Sequence, residues 1–541
     1  MHFLARLLAG SPLRHASFRL FYFGSIGVAL GYTMQATVSA WLMATLTPSA
    51  LMVALVQTAS TVPTLLFGLP AGALADIVDR RRVILVTQIV LLVTTALIGI
   101  VTLAGAMGPV TLLLLTFVIG SGFTFYMPAQ QASINDLVGR DELSRAVAQN
   151  AVAFNVARAI GPALAGAIAA WASSGSALLL SSLFFVAMIA SVRRWRGVSR
   201  VIRGVPETLV SGMLSGLRYT RHAPPLRAII VRNVSFALCA SSLWALLPVI
   251  ARDQLGLGAG GYGLLSASFG IGAITGALSL PRQMGRRSLN TVVGTATVLG
   301  AAAILLLALT EVAALAVIAT FCAGAAWVSV FASLSAGTQS AAPAWVRARA
   351  VAMNLVAVQA SLAVGSAVWG WLATLTGTHV ALGAAAAAMV VLLLLNRRVR
   401  VRLGEEMDVT PGPQLPELTL KAEPLPDDGP VLIQISYRIE AANRAAFLRG
   451  IHSLENVRRR NGAADWRVFR DLGEEGRFVE RFIIESWAEY SRLRTRQTQA
   501  DRHAIDSVQA LQRADVPIRV SRLIGIGASD ADLPPTFSSE A

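Results

Sequence analysis

Uncharged polar and aromatic side chains recur within the long apolar stretches of the first 400 residues. Amide groups are unfavourable on the lipid-facing side of a membrane helix, so most of them should point inward. Amides combined with aromatic rings suit a bulky, partly apolar solute that forms hydrogen bonds. Hydrogen bonding between helices explains any single one of these residues equally well. The candidate cavity residues are Tyr32, Gln35, Gln57, Tyr126, Gln130, Asn150, Asn155, Asn233, Trp244, Trp327, Gln339, Asn354 and Gln359.

Arg158 completes this candidate set, and it is the one charged residue that we place well inside an apolar stretch. Burying a guanidinium in a membrane is costly, so its side chain should face a cavity, an acid or a carbonyl oxygen. A structural role at helix-end carbonyls and binding of an anionic solute group both remain open. Proton antiport commonly uses an embedded carboxylate, and none is evident. The acids of this part all fall in or beside connections: Asp76, Asp79, Asp136, Asp141, Glu142, Glu207, Asp253 and Glu311.

Cysteine and histidine offer little chemistry. Cys239 and Cys322 lie in apolar runs, and the six histidines have no metal-ligand spacing. A glycine-rich phosphate loop of the kind that would indicate direct use of ATP is also missing. We therefore predict no catalytic residue, no metal and no cofactor, and we expect the chain not to be an enzyme.

Composition indicates a membrane protein. Of the 541 residues, 55% are hydrophobic and only 14% are charged, about half of the charged fraction usual in soluble domains. The net charge of +16 divides into +19 for residues 1–400 and −3 for the remainder. Because the basic residues belong to the apolar part, the pattern argues against nucleic acid as a partner and for a lipid bilayer.

Apolar runs of about 20 residues, long enough to cross a bilayer, recur along residues 1–400. The arginines cluster in alternate connections, whereas the other connections contain only Arg252. Since positive charge is retained on the cytoplasmic side, both termini should be cytoplasmic, in a multi-pass protein of the cytoplasmic membrane. The twelve predicted spans are 18–42, 51–75, 83–105, 109–133, 148–170, 174–192, 228–250, 262–281, 289–310, 313–335, 349–373 and 378–396.

The two halves of this region repeat. The segment from Arg145 to Gly166 aligns without gaps to the segment from Arg349 to Gly370, with eleven of 22 positions identical. We therefore predict an all-α membrane protein built as two six-helix pseudo-repeats. In transporters such halves rock against each other around a site at the middle of the membrane.

The segment from Gly72 to Arg82 reads Gly-Ala-Leu-Ala-Asp-Ile-Val-Asp-Arg-Arg-Arg. It resembles the loop between helices 2 and 3 of the major facilitator superfamily, except that Ile77 and Asp79 replace the usual Arg and Gly. A carboxylate at Asp76 could pair with Arg80, Arg81 or Arg82 and act as a conformational latch. A solvated run of charges is the alternative interpretation.

Further motifs resemble the branch of that superfamily that contains the enterobactin exporter and related secretion effectors. They include Phe18-Arg19-Leu20 and the stretch from Asn155 to Gly166, in which Gly161 and Pro162 complete the predicted gating set. The resemblance implies alternating-access export of a small organic molecule, such as a siderophore or drug-like metabolite, and proton coupling comes from the resemblance alone. Uptake by the same fold, or a membrane-tethered monooxygenase-like enzyme coupled to the transporter, are the alternatives.

The last part of the chain changes character. Residues 403–430 are rich in proline and acids, as in an extended linker. The pattern then predicts a small α+β domain of ferredoxin-like order β-α-β-β-α-β, with strands at 431–439, 466–472, 477–487 and 516–524 and helices at 440–460 and 489–512. This domain resembles the antibiotic-biosynthesis-monooxygenase type of dimeric α/β barrel, which implies a cytoplasmic regulatory or homodimer-forming role. The predicted division is 1–200, 201–227 (cytoplasmic inter-half loop), 228–402, 403–430, 431–526 and 527–541 (disordered).

Overall fold

The computed structural model describes residues 12–139, 142–194, 209–398, 401, 408–410 and 424–525, and the long helices dominate it. Polar caps separate consecutive helices where the apolar runs end. Ser49 accepts a hydrogen bond from the Met52 amide, and Asp79 accepts one from the Arg81 amide. The helices up to residue 398 are α1 (Ala16–Leu46), α2 (Ala50–Ile77), α3 (Arg80–Leu103), α4 (Pro109–Leu137), α5 (Leu143–Trp171), α6 (Ser174–Arg194), α7 (Leu209–His222), α8 (Pro224–Val249), α9 (Ala259–Met284), α10 (Leu289–Leu309), α11 (Ala313–Ala341), α12 (Arg347–Thr376) and α13 (Thr378–Leu395).

Eleven of the helices in the described part of the chain are long and apolar enough to cross a membrane. They are α2 to α6 and α8 to α13, and each one overlaps a predicted span. The first predicted span, 18–42, falls within α1, which has 31 residues but is not among the eleven. The fold is therefore a mostly helical membrane bundle, and a count of twelve spans stays a prediction.

The sequence repeat is visible in where the helices begin. Helices α4, α5 and α6 begin at residues 109, 143 and 174, and α11, α12 and α13 begin at residues 313, 347 and 378, each 204 residues later. This is the same offset that aligns the segment at Arg145 with the segment at Arg349. The corresponding helices of the two halves therefore arise from equivalent stretches of sequence.

Two long helices from different halves, α5 and α9, approach closely because small residues face each other. A Cβ atom at Gly270 would lie 2.5 Å from the Cα of Ala159, and one at Gly166 would lie 2.7 Å from the Cα of Gly263. Backbone stands on the other side in both places, so a larger side chain would force the helices apart. Small residues allow this approach, as at other membrane helix interfaces.

Two compact units divide the chain. The first contains Met1–Pro206, Ile230–Leu334 and Leu355–Val399, and the second contains Glu207–Ile229, Ser335–Asn354 and Arg400–Ala541. The second unit therefore combines the C-terminal region with helix α7 and with the connection between α11 and α12.

The C-terminal region of the second unit carries a four-stranded antiparallel sheet in the order β2-β3-β1-β4. Along β1 the side chains alternate, so that Val431, Ile433, Ile435 and Tyr437 are buried on one face. Helix α14 packs Phe447 against that face. The elements are β1 (Val431–Arg438), α14 (Arg444–Arg460), β2 (Ala464–Arg470), β3 (Arg477–Ile484), α15 (Trp487–Arg496), α16 (Gln499–Gln509) and β4 (Arg519–Ile524).

A charged network lies inside this core. Glu480 is fully buried and accepts hydrogen bonds from Arg458 Nε (2.9 Å) and Nη2 (3.2 Å), Trp466 Nε1 (2.9 Å) and Tyr437 OH (3.1 Å). Burial opposes ionisation of Glu480, but Arg458 outweighs it and holds the pKa of the carboxyl below its ordinary value. The ion pair is thus fully hydrogen-bonded, as a buried pair must be to persist.

The C-terminal region departs from prediction in one helix. The predicted helix 489–512 is interrupted after Arg496, because Thr498 begins a new helix by accepting from the Asp501 amide (3.1 Å) while the Asp501 carboxylate accepts from the Thr498 amide. This reciprocal cap is stronger than the helical pattern that runs through it. The expected inter-half loop 201–227 likewise contains helix α7. Most of the predicted linker and the predicted disordered tail lie outside the described residues.

Candidate substrate cavity

A cavity of about 650 Å³ lies in the first half, between α1, α4 and α5. Its volume suits a drug-sized molecule. Four predicted residues line it, namely Tyr126, Gln130, Asn150 and Asn155. Asn155 is exposed, and its Nδ2 donates to the Ala151 carbonyl (2.9 Å). Four of the predicted residues thus lie together at one cavity, and their role in binding a solute stays a prediction.

A short hydrogen-bond chain organises the polar wall. Gln130 Nε2 lies 3.3 Å from Ser25 Oγ and 3.1 Å from Asn150 Oδ1, so one amide links helices α1, α4 and α5. Gln130 is buried, and its amide donates in both bonds. Its amide orientation is therefore fixed, which makes this wall a defined set of donors and acceptors for a solute.

Apolar rings and the serine of this cavity were missed by sequence reasoning. Phe123 and Phe154 line it together with Ser25. Helical spacing carried the signal: Phe123 precedes Tyr126 by three residues and Phe154 follows Asn150 by four, so each shares a face with a polar candidate. Ser25 likewise precedes Tyr32 by seven residues. The Tyr32 ring stacks on Phe123 with centroids 3.9 Å apart.

A second, much smaller cavity of about 30 Å³ contains the other candidates of α1 and α2. Tyr32, Gln35 and Gln57 line it, with Trp244 from the second half. Gln35 is buried, and its Nε2 donates to Ser39 Oγ (2.9 Å). This space has room for about one water molecule.

In the second half, the aromatic candidates pack against other aromatic rings. Trp327 lies 4.5 Å from Phe331, and Trp244 lies 4.5 Å from Phe269, between ring centroids. Asn233 is fully buried and Gln359 is half-buried. The remaining two candidates belong to the second unit, where Gln339 is exposed and Asn354 is buried.

Arg158 lies on the inward face of α5. The outward face carries the exposed apolar side chains Val152, Val156, Ile160 and Leu164, whose exposed fractions are 61, 41, 47 and 40%. Arg158 is half-buried and belongs to the opposite face, together with Asn150 and Phe154 at four-residue spacing. Among the residues that the structure describes, it has no hydrogen-bonding or ion-pair partner. Arg232, which we did not single out, is a second half-buried arginine within a long helix.

The predicted gating residues have varied surroundings. Arg80 pairs with Asp136 (2.7 Å) and also donates to the Ala75 carbonyl, while Arg81 Nη2 donates to the Val192 carbonyl (3.3 Å). The Asp76 side chain lies outside the described residues, so the latch stays a prediction. The other three are backbone features: Gly72 has open space, Pro162 lies inside helix α5, and a Cβ at Gly161 would overlap Thr33.

The two halves join at one end of the bundle. Arg252 Nη1 donates to the Thr47 carbonyl (3.2 Å), and Thr374 Oγ1 accepts from the Leu51 amide (3.1 Å). We call this set the closed end; it belongs to connections on the side away from the arginine clusters. Deeper in the bundle, Thr58 Oγ1 donates to the Ala363 carbonyl (3.1 Å).

The described part of the chain contains no group of three or more histidine, cysteine or acidic side chains that could hold a metal ion. The membrane-unit acids whose side chains are described lie at helix ends or in connections: Asp79 caps α3, Asp136 pairs with Arg80, Glu142 pairs with Arg14, Asp253 pairs with Arg252, and Glu311 is exposed between α10 and α11. The cavity wall therefore consists of amides, hydroxyls and rings, with Arg158 one turn beyond it.

Comparison with known proteins gives a consistent picture. Residues 8–530 match the family model described as transmembrane secretion effector. The chain is 27% identical over 281 residues to the multidrug efflux pump Tap of Mycolicibacterium fortuitum, covering 50% of this chain and 68% of the pump. It is 23% identical over 246 residues to the staphyloferrin A transporter of Staphylococcus aureus, covering 45% of this chain and 62% of that transporter.

Solved structures agree on the fold. A bacterial homologue of the human lysosomal transporter Spinster, in an inward-facing and unoccupied conformation, superposes with a TM-score of 0.59 at 14% identity, covering 72% of this chain and 96% of that one. The nucleoside transporter NupG superposes with a TM-score of 0.57 at 13% identity, covering 71% and 98%. The chain belongs to the transmembrane secretion effector family of major facilitator transporters, and it is a secondary transporter.

Proposed function

We propose that this protein exports a partly apolar, hydrogen-bonding organic molecule, such as a siderophore or a drug-like metabolite, across the cytoplasmic membrane by alternating access. The cavity of about 650 Å³, with its Ser25–Gln130–Asn150 chain beside Phe123 and Phe154, carries this proposal. It combines flat apolar walls with a few fixed polar groups, as small-molecule sites usually do. The likeness to a multidrug efflux pump and to a staphyloferrin A transporter supports a small organic solute.

The proposed cycle rocks two six-helix halves, with twelve spans and both termini in the cytoplasm. In the described conformation the closed end seals one side. Release would require the Arg252–Thr47 and Leu51–Thr374 bonds to break while the opposite side closes over the solute. The close contact of α5 with α9 supplies a pivot, because Gly270 has no side chain and Ala159 has only a methyl group at this point.

The C-terminal region is proposed to be a ferredoxin-like regulatory domain that pairs with a second copy through its open sheet face. Leu432 lies opposite the buried face of β1 and is paired in register with Ile483 and Leu523. Phe469 and Leu523 are 43 and 51% exposed. An apolar sheet face of this kind requires a cover in most proteins. Leu523→Arg in the full chain should halve the mass measured by light scattering in detergent.

The transport proposal is tested by comparing metabolites in the medium of the parent strain, a strain lacking the gene, and that strain carrying the gene again. Export predicts one or more small organic molecules whose extracellular amount falls on deletion and recovers on complementation. A matched strain expressing the chain without residues 430–541 separates transporter from enzyme. Residual export is expected from a transporter, and complete loss with normal membrane insertion would favour the enzyme.

A further inference from the structure

Arg158 is a charged residue inside a long apolar helix, and no described residue forms a hydrogen bond or an ion pair with it. It lies on α5 with Asn150 and Phe154, which line the large cavity, and it is one helical turn deeper in the membrane than Phe154. Side chains on a helix lean toward its N-terminus, so a long arginine covers the preceding turn. Arg158 itself does not line the cavity, but on this face of α5 a long side chain covers the turn that contains Phe154, away from the exposed apolar stripe with Val156 and Ile160.

A cation at this depth needs a counter-charge. An arginine in the middle of a membrane helix is costly and is normally compensated by an acid, by carbonyl oxygens or by a water-filled cavity. No described residue forms a hydrogen bond or an ion pair with Arg158. Among the described acids of the same unit, Asp136 pairs with Arg80, Glu142 with Arg14 and Asp253 with Arg252, while Asp79 caps α3 and Glu311 is exposed in the connection between α10 and α11.

The groups that line the cavity, one helical turn before Arg158 on α5, suit an organic anion. Asn150 and Gln130 add amides, and Tyr126 and Phe154 add rings. A guanidinium offers a planar fork of donors that matches a carboxylate, sulfonate or phosphate group. The amides can bind further oxygens of the same molecule, while the rings contact its apolar part.

We propose that Arg158 binds the anionic group of the exported molecule, so that the substrates are organic anions. This inference rests on the proposed export function. It adds that the solute carries a negative charge and that Arg158 contacts the solute directly. A purely structural role for Arg158 would instead require a partner within the protein.

The experiment compares metabolites in the medium of the deletion strain carrying the wild-type gene, Arg158→Lys, Arg158→Gln or Arg282→Gln. Arg282 is an exposed arginine at the end of α9 and serves as the matched control. Immunoblots of washed membranes report the amount of each variant. Loss of a charge-assisted bond predicts that Arg158→Gln lowers export of the affected molecules by about tenfold or more. Arg158→Lys should retain part of it, and Arg282→Gln should match wild type.

The outcomes are distinct. Affected molecules that carry a negative charge at pH 7, together with a large loss in Arg158→Gln at normal membrane amount, support the inference. Neutral or cationic molecules, or wild-type export by Arg158→Gln, overturn it and leave the export function intact. A medium that does not change on gene deletion refutes the export function itself. Should Arg158→Gln be absent from the membrane, the charge of the affected molecules and the export by Arg158→Lys still decide the question.

Discussion

Replacing Glu480 by glutamine removes the charge at the centre of the C-terminal core while keeping its shape. The carboxylate accepts four hydrogen bonds, two from Arg458 and one each from Trp466 and Tyr437. In the variant an amide NH₂ would face at least one of these donors, and the buried Arg458 would lose its counter-charge. The Arg458 side chain is only 7% exposed, so water cannot take over that role.

The size of the effect follows from burial. Breaking a buried ion pair by removing one partner costs about 3–5 kcal/mol, because the remaining charge is left uncompensated. Glu455 provides the matched control: it pairs with Arg459 at 2.8 Å one turn away on α14, with side chains 39 and 37% exposed. An exposed pair of this type contributes about 0.3–0.5 kcal/mol. The same Glu→Gln change should therefore differ by about tenfold in its energetic cost.

Hydrogen exchange followed by mass spectrometry, on the full chain in detergent, measures this locally. Protected amides of β1 and β3 should exchange at least about 100-fold faster in Glu480→Gln, since 1.4 kcal/mol corresponds to a factor of ten. Glu455→Gln should change the same rates less than about threefold. Equal exchange in both variants would refute the assignment of core stability to the buried pair.

The same pair predicts a pH dependence. Because Arg458 holds the pKa of Glu480 below its ordinary value, the folded state binds this proton less readily than the unfolded state. Its stabilisation is complete above the ordinary glutamate pKa, about 4.3, and declines as the pH falls toward the folded value. Protection of β1 and β3 in wild type should therefore fall below about pH 4, whereas Glu480→Gln should lack this contribution.

Three further predictions concern the moving parts. Arg252→Ala removes a hydrogen bond across the closed end, so a cysteine placed in the cavity should react faster with a membrane-impermeant thiol reagent from outside; an unchanged rate contradicts the closed end. Gly270→Ala places a methyl group against the backbone at Ala159 and should sharply reduce export, while Gly294→Ala, with open space around it, should not. Trp345→Ala removes a ring whose centroid lies 4.2 Å from Arg496 Cζ, and it should speed tryptic cleavage of the second unit. Equal cleavage rates in wild type and variant would show that this contact does not stabilise the second unit.

The positions of the helices could be predicted from the sequence because each membrane-spanning segment must be about 20 residues long and mostly apolar. Helices α4, α5 and α11 fall on predicted spans, and the offset of 204 residues recurs in their starting points. Residues 18–42 were also predicted to span the membrane, but α1 is not among the eleven helices that are apolar enough. They form part of a long helix, yet polar residues such as Gln35 and Thr37, both buried, reduce its apolarity.

Part of the candidate cavity could be predicted from the sequence. An amide inside an apolar helix is conspicuous, so Gln130 and Asn150 could be identified, but their mutual bond depends on how α4 and α5 pack. Phe123 and Phe154 are ordinary residues in a membrane helix, and only the position of the cavity distinguishes them. Trp327 was identified by type, and the structure places it in an aromatic cluster with Phe331.

The distribution of described charges in the membrane unit has an electrical consequence. With Arg158 fixed in the protein, the export of one monovalent anion without a countermoving ion moves one negative charge across the membrane. A membrane potential that is negative inside drives such a solute outward, by about 2.3 kcal/mol per charge for each 100 mV. That corresponds to a concentration ratio of roughly 50 for a monovalent anion. Export of an organic anion could then proceed on the potential alone, without a countermoving ion.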